Sequence, residues 1–259
     1  MSLPASALTH RLDRTVEIGA PVDVVFGYFT DSTLWAAWWG QGSAIDARPG
    51  GQMTIVHPGG VEVAGEVLEV DPPRRIVFTY GYRTSNQMPK EGGSEVTIAL
   101  EPIGSSTRLR LEHRFAETAH RDAFVQGWRY QLSVFATVIA DRLHAGAADT
   151  VDAWFGAWSN PDGATRDAAV ERIASPAVRF RDRYSLVSGV EDLRAHLAAV
   201  HRFMPGMRIT REGAIRHCQG VVAADWVARA TDGTERGRGL NIFTLGGDGR
   251  IVDVVGLWG

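Results

Sequence analysis

The side chains able to do chemistry in this 259-residue chain are histidines, tyrosines and aspartates set into alternating apolar stretches. Alternation sorts strand residues by sheet face, so parity assigns each polar residue its neighbours. His113 falls with Leu109, Leu111 and Phe115, His57 with Met53 and Ile55, and Tyr80 with Ile76 and Phe78. All three tips are expected to turn toward the apolar side of one sheet, where an unpartnered polar group costs about 1–3 kcal/mol. Each therefore needs a hydrogen bond, an ordered water or a ligand. The plain alternative is a satisfied wall residue; the sharper one is a ligand-orienting group. His113 and Tyr80 are expected to line one pocket.

Further along, Asp182 shares its parity with Val178 and Phe180. A carboxylate at the mouth of a cavity can act as a general base, and a turn or cap role is the alternative. Tyr184 and His196, the latter beside the Leu193/Leu197 stripe, are candidate orienting donors. Asp253 alternates with Ile251, Val255 and Leu257; pointing inward, it would pair with Asp182 to divide acid and base roles. Asp225 and Trp226 take opposite faces of one strand, and parity alone does not choose between them. No His, Asp or Glu spacing matches a zinc ligand set, and no HExxH run occurs. The one cysteine, Cys218, excludes an internal disulfide and a cysteine-built metal site. Neither a metal nor a cofactor is expected.

The elements that must carry these residues are legible from period and punctuation. In the first half, Pro21 opens a helix with Val22, Val25, Phe26 and Phe29 at helical spacing. Asp31 or Ser32 caps a second helix bearing Trp35, Trp38 and Trp39, whose plain role is core packing. Closely spaced turns such as Pro58-Gly59-Gly60 and Glu91-Gly92-Gly93 predict an antiparallel meander. A long helix from about Thr118 to Leu143 carries Phe124, Trp128, Leu132, Phe135, Ile139 and Leu143 as its apolar stripe. Gly127 beside Trp128 is expected to admit a strand closely. The second half restarts with a helix showing Val151, Trp154, Phe155 and Trp158, then two more helices and hairpins at Asp232-Gly233 and Asp248-Gly249. No internal repeat is visible. A boundary is expected in the small-residue run after His144, giving domains at 10–144 and 149–259.

The first half resembles the SRPBCC superfamily (START-like, helix-grip), and within it the bacterial homologues of the heat-shock-protein ATPase activator. Ala20-Pro21, Val24-Val25, Trp38-Trp39-Gly40, Gly50-Gly51, Gly65, Pro72-Pro73 and Gly127-Trp128 carry that resemblance. It implies a long helix gripped by a curved sheet, often around a cavity. The second half resembles the SnoaL-like branch of the nuclear transport factor 2-like superfamily, on Trp154, Trp158, Phe180-Arg181-Asp182, Leu193, Leu197, Trp226 and Gly249-Arg250-Ile251. That resemblance implies a cone-shaped α+β barrel with Trp226 facing its contents, and relatives that include cyclases, isomerases, dehydratases and non-catalytic binders. The expected fold class is accordingly α+β throughout.

These readings bound the function. With 44% hydrophobic and 22% charged residues and a net charge of −3, a broad nucleic-acid footprint is not expected. No apolar run reaches the length of a membrane span, and the N-terminus lacks the pattern of a signal peptide, so a cytoplasmic protein is expected. The leading expectation is binding of a small hydrophobic or aromatic, lipid-like or polyketide-like molecule in an internal cavity. His57, Tyr80, His113, Trp128, Trp154, Trp226 and Asp253 would form the walls. The alternative is a cofactor-independent cyclase, isomerase or dehydratase in the second half using Asp182, His196 and Tyr184. The resemblance alone adds two more expectations, a co-chaperone-like interaction protein and a homodimer through the second domain.

Overall fold

Two separate alternations of helix and sheet build the chain, and the computed structural model describes residues 5–84 and 86–259 of it. It divides into two compact units, Met1–Ile139 and Ala140–Gly259. Both are mixed α+β, as the sequence pattern predicts.

In the first unit, β1 (His10–Ile18) is followed by α1 (Val22–Gly27) and α2 (Ser32–Trp39). Asp31 caps α2 by accepting from the Thr33 and Leu34 backbone N–H groups at 2.7 and 3.0 Å, satisfying two of the free donors at that helix start. The meander follows: β2 (Ala44–Ile45), β3 (Gln52–Val56), β4 (Glu62–Asp71), β5 (Arg75–Tyr82), β6 (Ser94–Ile103) and β7 (Ser106–Phe115). These form a seven-stranded antiparallel sheet in the order β1-β7-β6-β5-β4-β3-β2. The long helix α3 (Thr118–Leu143) completes the element series. Its Phe124, Trp128, Leu132, Phe135 and Ile139 are buried, the apolar stripe that a sheet-covering helix requires, while Leu143 at the helix end is half-buried. Trp35 belongs to this core, edge-on to Phe29 and Phe78.

The second unit contains α4 (Ala147–Ser159), α5 (Gly163–Ile173), β8 (Ala174–Arg181), β9 (Leu186–Ser188) and α6 (Val190–Phe203). The strands β10 (Arg208–Cys218), β11 (Val221–Arg229), β12 (Glu235–Leu245) and β13 (Ile251–Trp258) follow. The six-stranded sheet runs β10-β11-β12-β13-β8-β9, with β13 and β8 parallel and the other pairs antiparallel. β9 and β10 remain its edges, so the cone is an open curved sheet rather than a closed barrel. Asn160-Pro161 ends α4, and the Asp162 carboxylate caps α5 through the Thr165 N–H at 2.9 Å. The core gathers Val151, Trp154 and Phe155 of α4, Leu193 and Leu197 of α6, and the inner faces of β8, β11, β12 and β13.

One expectation fails through a strand irregularity. Asp253 shares nominal parity with Ile251, yet it lies on the opposite face. Across β12, Thr244 pairs with Asp253 and Leu245 with Ile251, so Val252 is an extra residue. Such a bulge reverses the alternation beyond it. Ile251 and Val254 are therefore both fully buried, while Asp253 turns outward to the guanidinium groups of Arg179 and Arg181 at 3.1 and 3.0 Å.

Candidate functional site

Each unit holds a cavity. The first, of about 680 Å³, is bounded by α2, the end of β3, β5 and α3. Its walls include Trp38, Trp39, His57, Tyr80, Tyr82, Phe124 and Trp128. Three of the first unit's four expected residues, His57, Tyr80 and Trp128, thus line one space. Gly127 lines it too, and a Cβ built there would meet nothing within 4 Å. The glycine leaves room in the cavity, instead of admitting a strand as expected. Burial pushes the His57 imidazole below its ordinary value, and burial with the neighbouring Tyr82 holds the Tyr80 phenol well above its own. Both rings are neutral at ordinary pH. No lysine, arginine or carboxylate lines this cavity among the described residues.

His113 is not on that wall, contrary to expectation. It sits one layer behind, fully buried, because the rings of Tyr80 and Phe124 close over it at centroid distances of 5.3 and 5.0 Å. Its hydrogen bonds are complete. Trp128 Nε1–H donates to His113 Nδ1 at 2.9 Å, so the ring proton sits on Nε2, which donates to Ser94 Oγ at 2.8 Å. Ser94 in turn donates to the Tyr80 carbonyl at 2.8 Å. Burial drives the His113 pKa well below its ordinary value. The sheet face was read correctly; the depth was not, since parity gives direction and no layer.

The second cavity, of about 310 Å³, lies in the other unit. Its apolar walls come from Trp154 and Trp158 on α4, Phe180 on β8, Trp226 on β11 and Trp258 on β13. Gly239 makes the space for one of these. It pairs with Trp226 across the strands, and a Cβ there would come within 2.7 Å of the indole. Trp226 therefore faces inward, and Asp225 is exposed with its carboxylate 3.0 Å from Arg216.

Asp182, Tyr184, Ser185, His196 and Asn241 supply the polar lining. Asp182 follows the end of β8, and its Oδ1 accepts from the Tyr184 N–H at 2.8 Å, the turn role that was its alternative reading. Its Oδ2 accepts from Trp258 Nε1–H at 3.1 Å. Two N–H donors thus orient the carboxylate, and each oxygen retains a lone pair for a guest. His196 Nε2 lies 3.2 Å from Ser185 Oγ, and its ring meets Trp158 edge-on at 5.6 Å. Tyr184 is 68% exposed and packs its ring on Trp258, so it stands at the rim. Asp182, Tyr184 and His196 share one cavity with Trp154 and Trp226; Asp253 does not join them.

Asn241 was missed. It lies on β12 two residues before Phe243, whose parity it shares, and it is only 6% exposed. The available signal was that parity, which placed one amide on the inner face of an otherwise apolar strand end. Gly256 on β13 leaves the space between Asn241 and Asp182: a Cβ there would sit 2.9 Å from Asp182 Cβ and 3.3 Å from Asn241 Oδ1. Both residues line the same cavity. Among the described residues no cluster of three or more potential ligands could hold a metal ion.

The comparisons agree with the two architectures. Residues 19–140 match the model of the activator of Hsp90 ATPase homolog 1-like proteins, and residues 151–254 match that of the SnoaL-like domain. The chain joins an Hsp90-activator-homologue-like domain of the SRPBCC type to a SnoaL-like domain. Among solved structures it is similar to a putative isomerase of the SnoaL-like family from Agrobacterium tumefaciens, at 24% identity over 46% of this chain and 98% of that one, with a TM-score of 0.42. It is also similar to CalU16 from Micromonospora echinospora, at 26% identity over 51% and 78%, with a TM-score of 0.41. A third likeness is to the Aha1 dimer from Colwellia psychrerythraea, at 18% identity over 48% and 91%, with a TM-score of 0.41. At these scores the likenesses carry nothing about activity. No curated protein matches the chain.

Proposed function

We propose that this protein binds a small, largely apolar molecule in an internal cavity, with the SnoaL-like unit as its principal site. The observation that carries this reading is a cavity of about 310 Å³ walled by four tryptophans and two phenylalanines, with a handful of polar groups turned into it. That combination, apolar area with few convergent polar atoms, is the usual make-up of a small-molecule site. Aromatic walls favour a flat aromatic or polyketide-like guest. The larger cavity of the first unit, also aromatic and free of charged lining, suits a second guest of similar or lipid-like character. No described helix is long and apolar enough to cross a membrane. A cytoplasmic setting belongs to the same reading, as does pairing of two copies through the second sheet.

One observation favours a second reading. The oriented Asp182 carboxylate and the His196 imidazole share the cavity wall, as a cofactor-independent cyclase, isomerase or dehydratase requires of a base and a proton donor. The co-chaperone reading rests on the family name alone.

Mass-spectrometric identification of whatever co-purifies with the intact chain tests the binding reading and supplies the compound for the next step. With that compound, Asp182→Asn abolishes turnover if the unit is an enzyme and leaves affinity within about threefold if it is a carrier. Full turnover by the variant removes Asp182 as the base. A protein that is free of small molecules and takes up none from a cell extract contradicts the binding reading.

A further inference from the structure

Three segments of the second unit present apolar side chains to solvent around one opening. Tyr184, Met204 and Trp258 belong to the walls of the second cavity and are also exposed, so they mark its mouth. Phe203, beside Met204 at the end of α6, is 76% exposed. Topology gathers them. β8 ends at Arg181, the parallel β13 ends at Trp258, and the antiparallel β10 starts at Arg208 just beyond α6, all at one end of the sheet. A single exposed apolar residue is ordinary, whereas four around one mouth mark a surface that meets something.

The charge at this mouth is equally one-sided. From Leu193 to Arg211, and again from Arg183 to Val190, the chain has no aspartate or glutamate. The Arg183 guanidinium lies 5.5 Å from the centre of the Tyr184 ring, and that of Arg202 lies 5.8 Å from the Phe203 ring. Neither has an ion-pair partner among the described residues, whereas Arg179, Arg181, Arg194 and Arg211 are all paired. Carboxylates at this end of the sheet are already engaged. Asp182 holds the Tyr184 and Trp258 N–H groups, Asp232 holds the Thr234 N–H, and Glu235 holds Arg238. Two uncompensated cations, each beside an exposed aromatic ring, suit a boundary where anions border an apolar medium.

Two kinds of occupant fit less well. A second copy related by a two-fold axis would bring the same arginines toward one another. A partner protein would close the mouth of the cavity it sat on. A bilayer surface supplies anionic headgroups for the arginines and an apolar layer beneath them for the side chains. We propose that the mouth of the second cavity is a docking surface for an anionic lipid membrane. Phe203, Met204, Tyr184 and Trp258 enter the interface, and Arg183 and Arg202 meet the headgroups. An apolar guest then passes between bilayer and cavity without crossing water. The proposal uses the cavity of the binding reading and is independent of which guest it holds.

The test is sedimentation of the intact chain with vesicles of phosphatidylcholine alone and of phosphatidylcholine mixed with phosphatidylglycerol. The mixed vesicles are expected to bind about tenfold or more tighter, and added salt to erase most of that advantage. Arg183→Gln/Arg202→Gln should lose about tenfold or more on the mixed vesicles. Arg142→Gln/Arg172→Gln removes the same charge at the ends of α3 and α5, and should stay within about twofold of the unaltered chain. Phe203→Ala should weaken binding by about tenfold with both arginines in place. All of these positions are exposed, so melting temperatures should not move. Equal binding to both vesicles, no binding to either, or an equal loss in the two arginine pairs overturns the proposal. A dimer that Phe203→Ala dissociates also overturns it, by assigning the mouth to a second copy. A co-purifying small molecule in a chain that ignores vesicles would overturn the docking surface and leave the binding reading standing.

Discussion

Two buried polar side chains, one in each unit, answer the same physical demand in opposite ways. In the first unit His113 is fully enclosed, and every hydrogen-bonding position on its ring is used, by Trp128 on one side and Ser94 on the other. In the second, Asn241 is nearly as enclosed and no described residue pairs with its side chain. A satisfied buried polar group fixes structure, whereas an unsatisfied one beside an open cavity holds a place for something else. The contrast separates scaffold from site more sharply than the cavities' sizes do. By volume alone the first unit would be favoured, at about 680 Å³ against 310 Å³.

The largest effect that could break this contrast is at His113. His113→Leu strands the Trp128 N–H in the core and removes ring contacts with Tyr80, Phe115 and Phe124. It is expected to cost about 2–4 kcal/mol in denaturant unfolding of the first unit. A cost below about 1 kcal/mol would mean that the network is incidental. Next in size is the response to acid. Burial keeps His113 neutral in the folded chain, its pKa well below the ordinary 6.5. The unfolded chain, by contrast, takes up a proton there as pH falls through that value. The unfolded state then binds more protons, so stability is full above about pH 6.5 and declines below it. For one such histidine the decline is at most about 1.4 kcal/mol per pH unit. Burial lowers the pKa of His57 as well, so it adds to the decline with the same sign. Unfolding free energies measured from pH 7.5 to 5 check this, and His113→Leu should flatten the slope. An unchanged slope in the variant would assign the acid response to other groups.

Much of this organisation is legible in the chain itself. Period and punctuation suffice for the elements: Thr118 to Leu143 reads as one helix because its apolar stripe is unbroken, and Asp31 or Ser32 announces the start of the tryptophan-bearing one. Parity places His57, Tyr80 and Asp182 on inner faces because their strands are regular up to those points, and helical spacing does the same for Trp154. Three things stay hidden, each for a local reason. Asp253 is misassigned because the extra residue Val252 reverses the alternation, and a bulge leaves no mark in a run of hydrophobic residues. His113 is placed on the correct face but at the wrong depth, since depth depends on how far Tyr80 and Phe124 reach across it. Asn241 passes unnoticed because one amide between Leu240 and Ile242 has no motif around it, and its significance lies in what fails to pair with it.

The smallest predicted effect is also the most direct test. Calorimetric melting of Asn241→Leu beside the unaltered chain should show the second unit stabilised by about 1 kcal/mol, a shift of a few degrees upward. The sign is opposite to that expected for His113→Leu in the first unit. If the leucine variant melts lower, the Asn241 amide is already supporting the fold, and the distinction between a paired His113 in one unit and an unpaired Asn241 in the other is wrong.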